Sequence, residues 1–236
     1  MKNQYFGDIN DYRKYGLLRV LARATGLSAV ICWMLTPDDG GTDGRFTTYL
    51  CDKETWRRYD PPLFDALHEA VVRRRDRSTR HVERSGILPG FEFFNEIVPQ
   101  DAPSRKAYFD ELGAMAQDTE WIFFDPDNGM EVASVPDGRA GSPKYLYWHE
   151  VRKVFNNNVS LLVYQHFPRR PREEFIKSTA RWFIQETKAV EVISFATSRI
   201  VFFLIPQKRH RLKFRRAALA AGRQWDGQIA VAYHSG

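Results

Sequence analysis

Cysteine is scarce in this 236-residue sequence, which contains only Cys32 and Cys51. Two isolated cysteines cannot supply a disulfide framework, and neither belongs to a spaced pair of the kind that binds zinc. Cys32 lies inside an apolar run, where a free thiol usually behaves as a small buried hydrophobe. The sequence therefore argues against a disulfide scaffold and predicts no zinc site.

Long apolar runs are also missing. The longest stretches, such as residues 200–206, are far shorter than the roughly 20 residues that a helix needs to cross a bilayer. The first residues, MKNQYFGD, contain no apolar signal core. Internal repeats and low-complexity segments are absent from the sequence. We therefore expect a cytoplasmic protein that does not insert into a membrane.

The common nucleotide-binding fingerprints are absent as well. The apolar run 28–35 is followed at once by TPDDGGTDG at residues 36–44, a loop rich in glycine and aspartate. It has neither the lysine of a triphosphate-binding P-loop nor the G-x-G-x-x-G pattern. Glycines still allow a backbone to approach a ligand closely, which makes this loop a candidate ligand-binding turn. An ordinary surface turn would have a similar composition.

Positive charge is in excess and is clustered. The net charge is +6, and basic residues concentrate at 73–77, 169–172 and 208–216. Clustered positive charge favours a polyanionic partner such as nucleic acid, although any single cluster is equally typical of a solvated helix face. The densest cluster supplies the candidate nucleic-acid contacts, which are Arg209, Arg211, Lys213 and Arg216.

The most informative segment is EWIFFDPDNGM at residues 120–130. Four large apolar residues followed by turn residues predict a strand buried on both faces, and Pro126 should end that strand at Asp125. Asp125, Asp127 and Asn128 would then lie at the carboxyl edge of a central strand, where open α/β sheets bind ligands. The alternative is a polar turn whose side chains only cap backbone groups.

Strand and helix patterns alternate along the chain and end in a hairpin. This order predicts a three-layer α/β/α sandwich with a mostly parallel Rossmann-like sheet and antiparallel C-terminal strands. No linker divides the chain, so residues 1–236 form one predicted domain with an excursion at about 76–100. The predicted helices are 8–24, 54–75, 104–117, 144–156, 169–188 and 208–222, and the predicted strands are 28–35, 91–98, 121–125, 159–166, 190–196, 200–206 and 228–233. The loop 134–143 is long enough to be a lid.

Two segments resemble a known family. Residues 5–18, YFGDINDYRKYGLL, resemble the N-terminal motif of the RlmJ-like ribosomal RNA adenine N6-methyltransferases, with Gly7, Asp11 and Lys14 in matching positions. The second segment is FDPDN at 124–128, which takes the place of the catalytic Asp-Pro-Pro-Tyr motif of that family. The loop 36–44 occupies the place of the family's methyl-donor loop. The terminal hairpin also suits the class I methyltransferase fold, whose last strand is antiparallel.

The departures from the family pattern bear on the identity of the methyl acceptor. Asp8 and Tyr15 replace an asparagine and a histidine of the N-terminal motif, and Asp127 and Asn128 replace the second proline and the aromatic residue of the catalytic motif. In that family the aromatic side chain stacks on a flipped base, and stacking is much of what holds an extruded base. The resemblance therefore implies methyl transfer but does not identify the base.

The predicted function is S-adenosylmethionine-dependent methyl transfer to nucleic acid. The resemblance implies that the cofactor lies near Lys14, Asp11, Asp38, Gly40 and Gly41. Asp125 would accept a hydrogen bond from an amino group of the substrate, with Asp127 and Asn128 beside it in the catalytic segment and Asn128 orienting the substrate. Lys14 would face the cofactor carboxylate or a phosphate, unless it is a solvated helix lysine.

Two alternatives remain open at this point. In a magnesium-dependent nuclease or phosphodiesterase, Asp125 and Asp127 would hold the metal, with help from Asp38, Asp39 or Glu131. The other alternative is a non-catalytic nucleic-acid-binding module on a degenerate methyltransferase scaffold. His166 closes the strand 159–166 at the same sheet edge and is within reach of the site, but a lone histidine there is more often a polar rim residue.

Overall fold

The computed structural model describes residues 5–37, 44 and 46–236. A central sheet of seven strands has the order β2-β1-β3-β6-β8-β7-β9, and a separate pair joins β4 to β5. The strands are β1 (Ala29–Cys32), β2 (Phe91–Phe94), β3 (Trp121–Phe124), β4 (Gly129–Met130), β5 (Tyr145–Leu146), β6 (Ser160–His166), β7 (Glu191–Ala196), β8 (Ile200–Ile205) and β9 (Ala230–Ser235). The helices are α1 (Ile9–Thr25), α2 (Lys53–Trp56), α3 (Pro61–His68), α4 (Thr79–Arg84), α5 (Ala102–Met115), α6 (Trp148–Asn156), α7 (Arg172–Thr187) and α8 (Arg211–Gln224).

The sheet is parallel on one side and antiparallel at its C-terminal end. Strands β2, β1, β3 and β6 are mutually parallel, whereas β8 runs antiparallel to both β6 and β7, and β9 runs antiparallel to β7. Helices cover both faces, and each face has its own apolar core. The predicted three-layer α/β sandwich with an antiparallel C-terminal end is therefore confirmed.

Strand β3 shows why both faces are covered. Its four residues are fully buried, with Trp121 and Phe123 in one core and Ile122 and Phe124 in the other. Side chains alternate between the two sides of a strand, so a continuous apolar run is stable only where both sides are packed. The strand ends at Phe124, immediately before the acidic turn.

Helix α1 follows its sequence signals closely. Asp8 caps it by accepting a hydrogen bond from the Asn10 amide at 2.8 Å, and Gly26 ends it in the left-handed conformation. The helix packs against α8, and Gly16 makes the close approach possible because a Cβ there would overlap the indole of Trp225. One face of α1 is therefore fixed by the C-terminal helix, and its N-terminal half reaches the carboxyl edge of the sheet.

Several predicted boundaries are wrong. The predicted helix 144–156 begins only at Trp148, because Tyr145 and Leu146 pair with β4 instead. The predicted helix 104–117 begins two residues earlier, at Ala102, because Asp101 caps α5 by accepting a hydrogen bond from the Ser104 amide at 2.9 Å. The excursion predicted at about 76–100 contains α4, and the predicted helix 54–75 is divided into α2, α3 and a π turn at Glu69–Arg73. Each error lies where a helix cap or a contact that is distant in the sequence sets the boundary of the element.

The helices are not membrane spans. Among the described residues, none of them combines the length and the apolar character needed to cross a bilayer.

Candidate functional site

A large cleft opens at the carboxyl edge of the sheet. Its volume is about 980 Å³, which is within the usual range for small-molecule sites. It is lined by residues from the start of α1, the turn after β3, the end of β6 with the segment that follows it, and the β7–β8 turn. This is the place where ligands bind in open α/β sheets.

Lys14 lies at the centre of the cleft. Its ammonium Nζ is 2.7 Å from Asp125 Oδ2 and 2.8 Å from Asp11 Oδ1. The lysine side chain is only 3% exposed, so its interpretation as a solvated helix lysine is wrong. A buried ammonium costs much free energy unless it is paired, and here two carboxylates pair with it. Lys14 therefore joins helix α1 to the turn after β3.

Asp11 is held by more than the lysine. Its Oδ2 accepts hydrogen bonds from the Gly7 amide at 3.1 Å and the Tyr15 hydroxyl at 3.2 Å. Burial raises the pKa of Asp11 to about 6, although the neighbouring Lys14 ammonium opposes that increase. Burial alone would lower the pKa of Lys14, but Asp11 and Asp125 outweigh it and raise the pKa. The site therefore contains an acid that titrates close to neutrality.

The titration of Asp11 predicts a pH dependence of stability. The pKa of Asp11 is about 6 in the folded protein against an ordinary value of 3.8, so the folded state binds this proton more tightly than the unfolded chain. The contribution of Asp11 to the free energy of unfolding is therefore largest below about pH 4 and decreases as the pH rises to about 6. At about 1.4 kcal/mol per pKa unit, the change is on the order of 3 kcal/mol.

Chemical denaturation of the wild type and of Asp11→Asn between pH 4 and 7 checks this prediction. We expect the wild type to lose stability relative to the variant over this range, because asparagine does not titrate. Lys14, Asp125 and Asp8 face Asp11 and remain in the variant. Parallel stability curves would show that Asp11 is not the titrating group.

The turn after β3 is fixed by four hydrogen bonds. The Asp125 amide donates to the Cys32 carbonyl at 3.1 Å, which extends the ladder by one residue. The Thr36 hydroxyl donates to Asp127 Oδ2 at 2.5 Å. Gln165 Oε1 accepts from the Met130 amide at 2.7 Å, and Gln165 Nε2 donates to the Asn128 carbonyl at 3.2 Å. The acidic turn is therefore tied to both neighbouring strands.

Gly129 is required for this turn. Its φ is +104°, and a Cβ would overlap the Gln165 amide. Met34, which follows β1, also has a positive φ of 47° while fully buried, a strained conformation for a side-chain-bearing residue. Both unusual backbone positions flank the carboxyl edge that forms the cleft.

Two amide side chains line the cleft. Asn128 is half-buried, and no hydrogen bond to its side chain exists among residues 5–37, 44 and 46–236. Asn10 presents a buried Oδ1 that also has no hydrogen-bond partner in that part of the chain. Amide groups in this state can donate to and accept from a polar ligand.

His166 also lines the cleft, as its position at the end of β6 predicted. Its Nε2 lies 2.9 Å from the Tyr164 hydroxyl. Burial lowers the pKa of His166, while the nearby Asp125 and Asp127 act in the opposite direction. Burial and Asp125 raise the pKa of Tyr164 well above its usual range. Tyr164 and His166 are therefore both uncharged at pH 7 and form one hydrogen-bonding side of the cleft.

The structure brings together one part of the predicted site. Asp11, Lys14, Asp125, Asp127 and Asn128 all line the cleft. Asp38, Gly40 and Gly41 lie outside the described residues. The sequence analysis did not assign several further cleft residues to the site: Tyr5, Asn10, Phe46, Tyr164, Phe167, Ser198 and Arg199. Tyr5 and Asn10 belong to the segment 5–18 and Tyr164 to the predicted strand 159–166, whereas the others had no local signal.

The basic cluster 208–216 lies elsewhere. Strand β8 runs antiparallel to β6, so it delivers the chain to the opposite edge of the sheet. There Arg209 donates to the Asn158 carbonyl at 2.7 Å, and Arg211 pairs with the buried carboxylate of Glu191 at 3.1 Å. Lys213 and Arg216 are exposed in the first turns of α8. These four residues do not line the cleft, whereas the cluster 169–172 does.

The loop 134–143 does not line the cleft. Arg105, which is 2% exposed, donates to the carbonyls of Ser142 at 3.2 Å and Tyr145 at 2.7 Å, and it forms a bidentate pair with Glu150. The Tyr147 hydroxyl donates to the Val135 carbonyl at 2.9 Å. Buried groups therefore anchor this loop, and its role as a lid or substrate loop stays a prediction.

The described residues contain no cluster of three or more histidine, cysteine or acidic side chains arranged to hold a metal ion. In the cleft the Lys14 ammonium pairs at 2.7 Å with Asp125, which is one of the two carboxylates that the magnesium alternative assigns to the metal.

Comparisons with known proteins give little further information. No protein-family model matches the sequence, and no curated protein matches it. Among solved structures, the chain is similar to protein LPL1258 from Legionella pneumophila, of the family DUF519. The match covers 98% of each chain with 11% sequence identity and a TM-score of 0.45.

Proposed function

We propose that this chain is an S-adenosylmethionine-dependent methyltransferase that acts on nucleic acid. The observation that carries the proposal is the contact between Lys14 and Asp125 at 2.7 Å. The two residues are 111 positions apart and belong to the two segments that resemble the RlmJ-like family. The ion pair therefore joins these two segments at the edge of the sheet where open α/β folds bind ligands.

The strand order supports the same proposal. In the class I methyltransferase fold the last strand is antiparallel, and here the last strand, β9, runs antiparallel to β7, while β8 runs antiparallel to both β6 and β7. The acidic turn follows β3, which lies beside β1 and β6 in the middle of the sheet.

The side chains of the cleft fit the proposed cofactor chemically. S-Adenosylmethionine carries a sulfonium and an ammonium cation, and Asp8, Asp11, Asp125 and Asp127 place carboxylates along the cleft. Lys14 and Asp11 would hold its amino-acid part, and the amide of Asn10 would meet its polar groups. When bound, the cofactor supplies an electrophilic methyl group.

The residues of the chain would act mainly by positioning. Asp125 would accept a hydrogen bond from the amino group that receives the methyl, and Asn128 would orient the same substrate. Lys14 would act as a positioning residue, because its ammonium fixes Asp125 Oδ2. Alignment of a nucleophile with a donor accounts for much of the rate enhancement in reactions that need little acid-base catalysis. The Lys14 position also favours methyl transfer over metal-dependent cleavage.

Calorimetric titration of the purified protein with S-adenosylmethionine tests the proposal. We expect saturable binding and an increase in unfolding temperature, since a ligand at 100 times its Kd stabilises a protein by about 2.7 kcal/mol. ATP is the matched control, because it shares the adenosine but lacks the sulfonium. Absence of heat and of a thermal shift at millimolar S-adenosylmethionine would contradict the proposal.

Catalysis is measured separately from binding. Transfer of labelled methyl groups to unmodified RNA or DNA distinguishes an enzyme from a non-catalytic module on the same scaffold. Binding without transfer to either pool would favour the module.

A further inference from the structure

Phe46 is an exposed aromatic side chain on a fixed backbone. Its side chain is 51% exposed and lines the cleft. Its amide donates to Asp8 Oδ2 at 3.1 Å, and its carbonyl accepts from the Ile9 amide at 3.0 Å. The ring is therefore presented to the cleft by the start of helix α1, even though exposure of so large an apolar group is unfavourable.

Arginine side chains stack on the aromatic rings of the cleft. The Arg199 guanidinium lies 4.2 Å from the centroid of Phe46, and that of Arg172 lies 5.3 Å from the centroid of Phe167. All four residues line the cleft. Proteins that bind single-stranded nucleic acids combine aromatic side chains, on which bases stack, with arginines that contact the phosphates.

The charges of these arginines are available to a ligand. Within the described part of the chain, neither Arg172 nor Arg199 forms an ion pair with a carboxylate. By contrast, in the cluster 208–216 Arg211 and Arg215 both pair with Glu191. Glu191 therefore neutralises two basic residues of the cluster 208–216, whereas Arg172 and Arg199 present their charges at the cleft.

We propose that Phe46 with Arg199, and Phe167 with Arg172, form a binding site for an unpaired nucleobase and its flanking phosphates. The inference rests on the proposed function for the class of substrate and deepens it. The FDPDN segment has Asn128 where the family motif has its stacking aromatic residue, so a base held here needs another aromatic face. Phe46 supplies that face from a different segment of the chain.

Fluorescence anisotropy with short labelled single-stranded RNA and DNA oligonucleotides tests the site. Phe46→Leu keeps the apolar character but removes the aromatic face, and we expect it to weaken binding roughly 10-fold to 100-fold. Arg199→Gln should also weaken binding and reduce the slope of log K against log salt by about 0.7, because one phosphate contact is lost. Phe46→Leu should leave that slope unchanged.

Two matched controls separate this site from other surfaces. Trp182→Leu removes an aromatic side chain that is 54% exposed on α7, and Arg216→Gln removes a charge from the cluster 208–216. Both variants should bind the oligonucleotides as the wild type does. Equal affinities of Phe46→Leu and the wild type, or no binding of the wild type to any single-stranded probe, would overturn the inference.

The inference and the proposed function can fail independently. The affinity of Phe46→Leu for S-adenosylmethionine should stay within about threefold of the wild type while its oligonucleotide affinity falls. If the wild type binds the cofactor but Phe46→Leu binds oligonucleotides normally, only the base site is wrong. If Phe46→Leu loses oligonucleotide binding and the wild type does not bind S-adenosylmethionine, the base site stands and the methyltransferase proposal fails.

Discussion

Replacing Asp125 with asparagine is expected to slow the proposed methyl transfer by roughly 100-fold to 1,000-fold, the usual effect of removing one preorganised electrostatic group. Asparagine keeps the size of the side chain but loses the charge that pairs with Lys14 at 2.7 Å. The substrate amino group then loses its charged acceptor, and the lysine loses one of its two partners. Single-turnover transfer of labelled methyl groups to unmodified nucleic acid, with saturating cofactor, measures the effect.

The control for Asp125→Asn is Asp118→Asn, which removes an exposed carboxylate near the opposite edge of the sheet. This variant should retain wild-type activity. The unfolding temperature of each variant shows whether the loss of rate is a loss of folded protein. Wild-type rates in a folded Asp125→Asn protein would remove this aspartate from the proposed mechanism.

Replacing Glu150 with glutamine is expected to reduce the free energy of unfolding by about 3 to 5 kcal/mol, because the buried Arg105 guanidinium loses its close counter-charge and keeps only Asp137, at 3.8 Å. The two side chains are only 2% and 3% exposed, and they meet at 2.6 Å and 3.0 Å. Burial raises the pKa of Glu150, and Arg105 opposes that change. Urea denaturation at pH 7 measures the loss.

Lys106→Met is the matched control for Glu150→Gln. It breaks an ion pair with Asp110 on the same helix as Arg105, but both partners are exposed. Exposed pairs contribute little to stability, so the midpoint of denaturation should hardly change. The double variant Arg105→Met/Glu150→Leu should recover much of the lost stability, since apolar side chains of similar size need no counter-charge. Equal effects of Glu150→Gln and Lys106→Met would contradict the buried-pair interpretation.

The fold was largely predictable from local patterns. The continuous apolar run of β3, the Asp8 cap and the Gly26 terminus of α1 each depend on a few neighbouring residues. The hairpin of β7 and β8 follows from two apolar runs separated by a short polar turn. Boundaries failed where a distant partner decided the outcome, as when Tyr145 and Leu146 joined β4 instead of extending α6.

The sequence predicted where the site lies but not which side chains contact one another in it. The carboxyl edge of β3 could be inferred from the strand and its turn, but the pairing of Lys14 with Asp125 spans 111 positions and leaves no local trace. The same holds for the stacking of Arg199 on Phe46. Charge clustering pointed to residues 208–216, because the sequence cannot show that Glu191 neutralises part of that cluster.

The packing of α1 against α8 has a consequence for protein synthesis. Arg13 and Gln228 are hydrogen-bonded at 2.6 Å across 215 positions of the chain. At 5 to 20 residues per second, a ribosome needs about 10 to 40 s to make the intervening chain. During that time the nascent α1 has no Trp225 to cover it. Helix α1, which supplies Lys14 to the cleft, therefore gains this packing partner only when synthesis has reached the C-terminal helix.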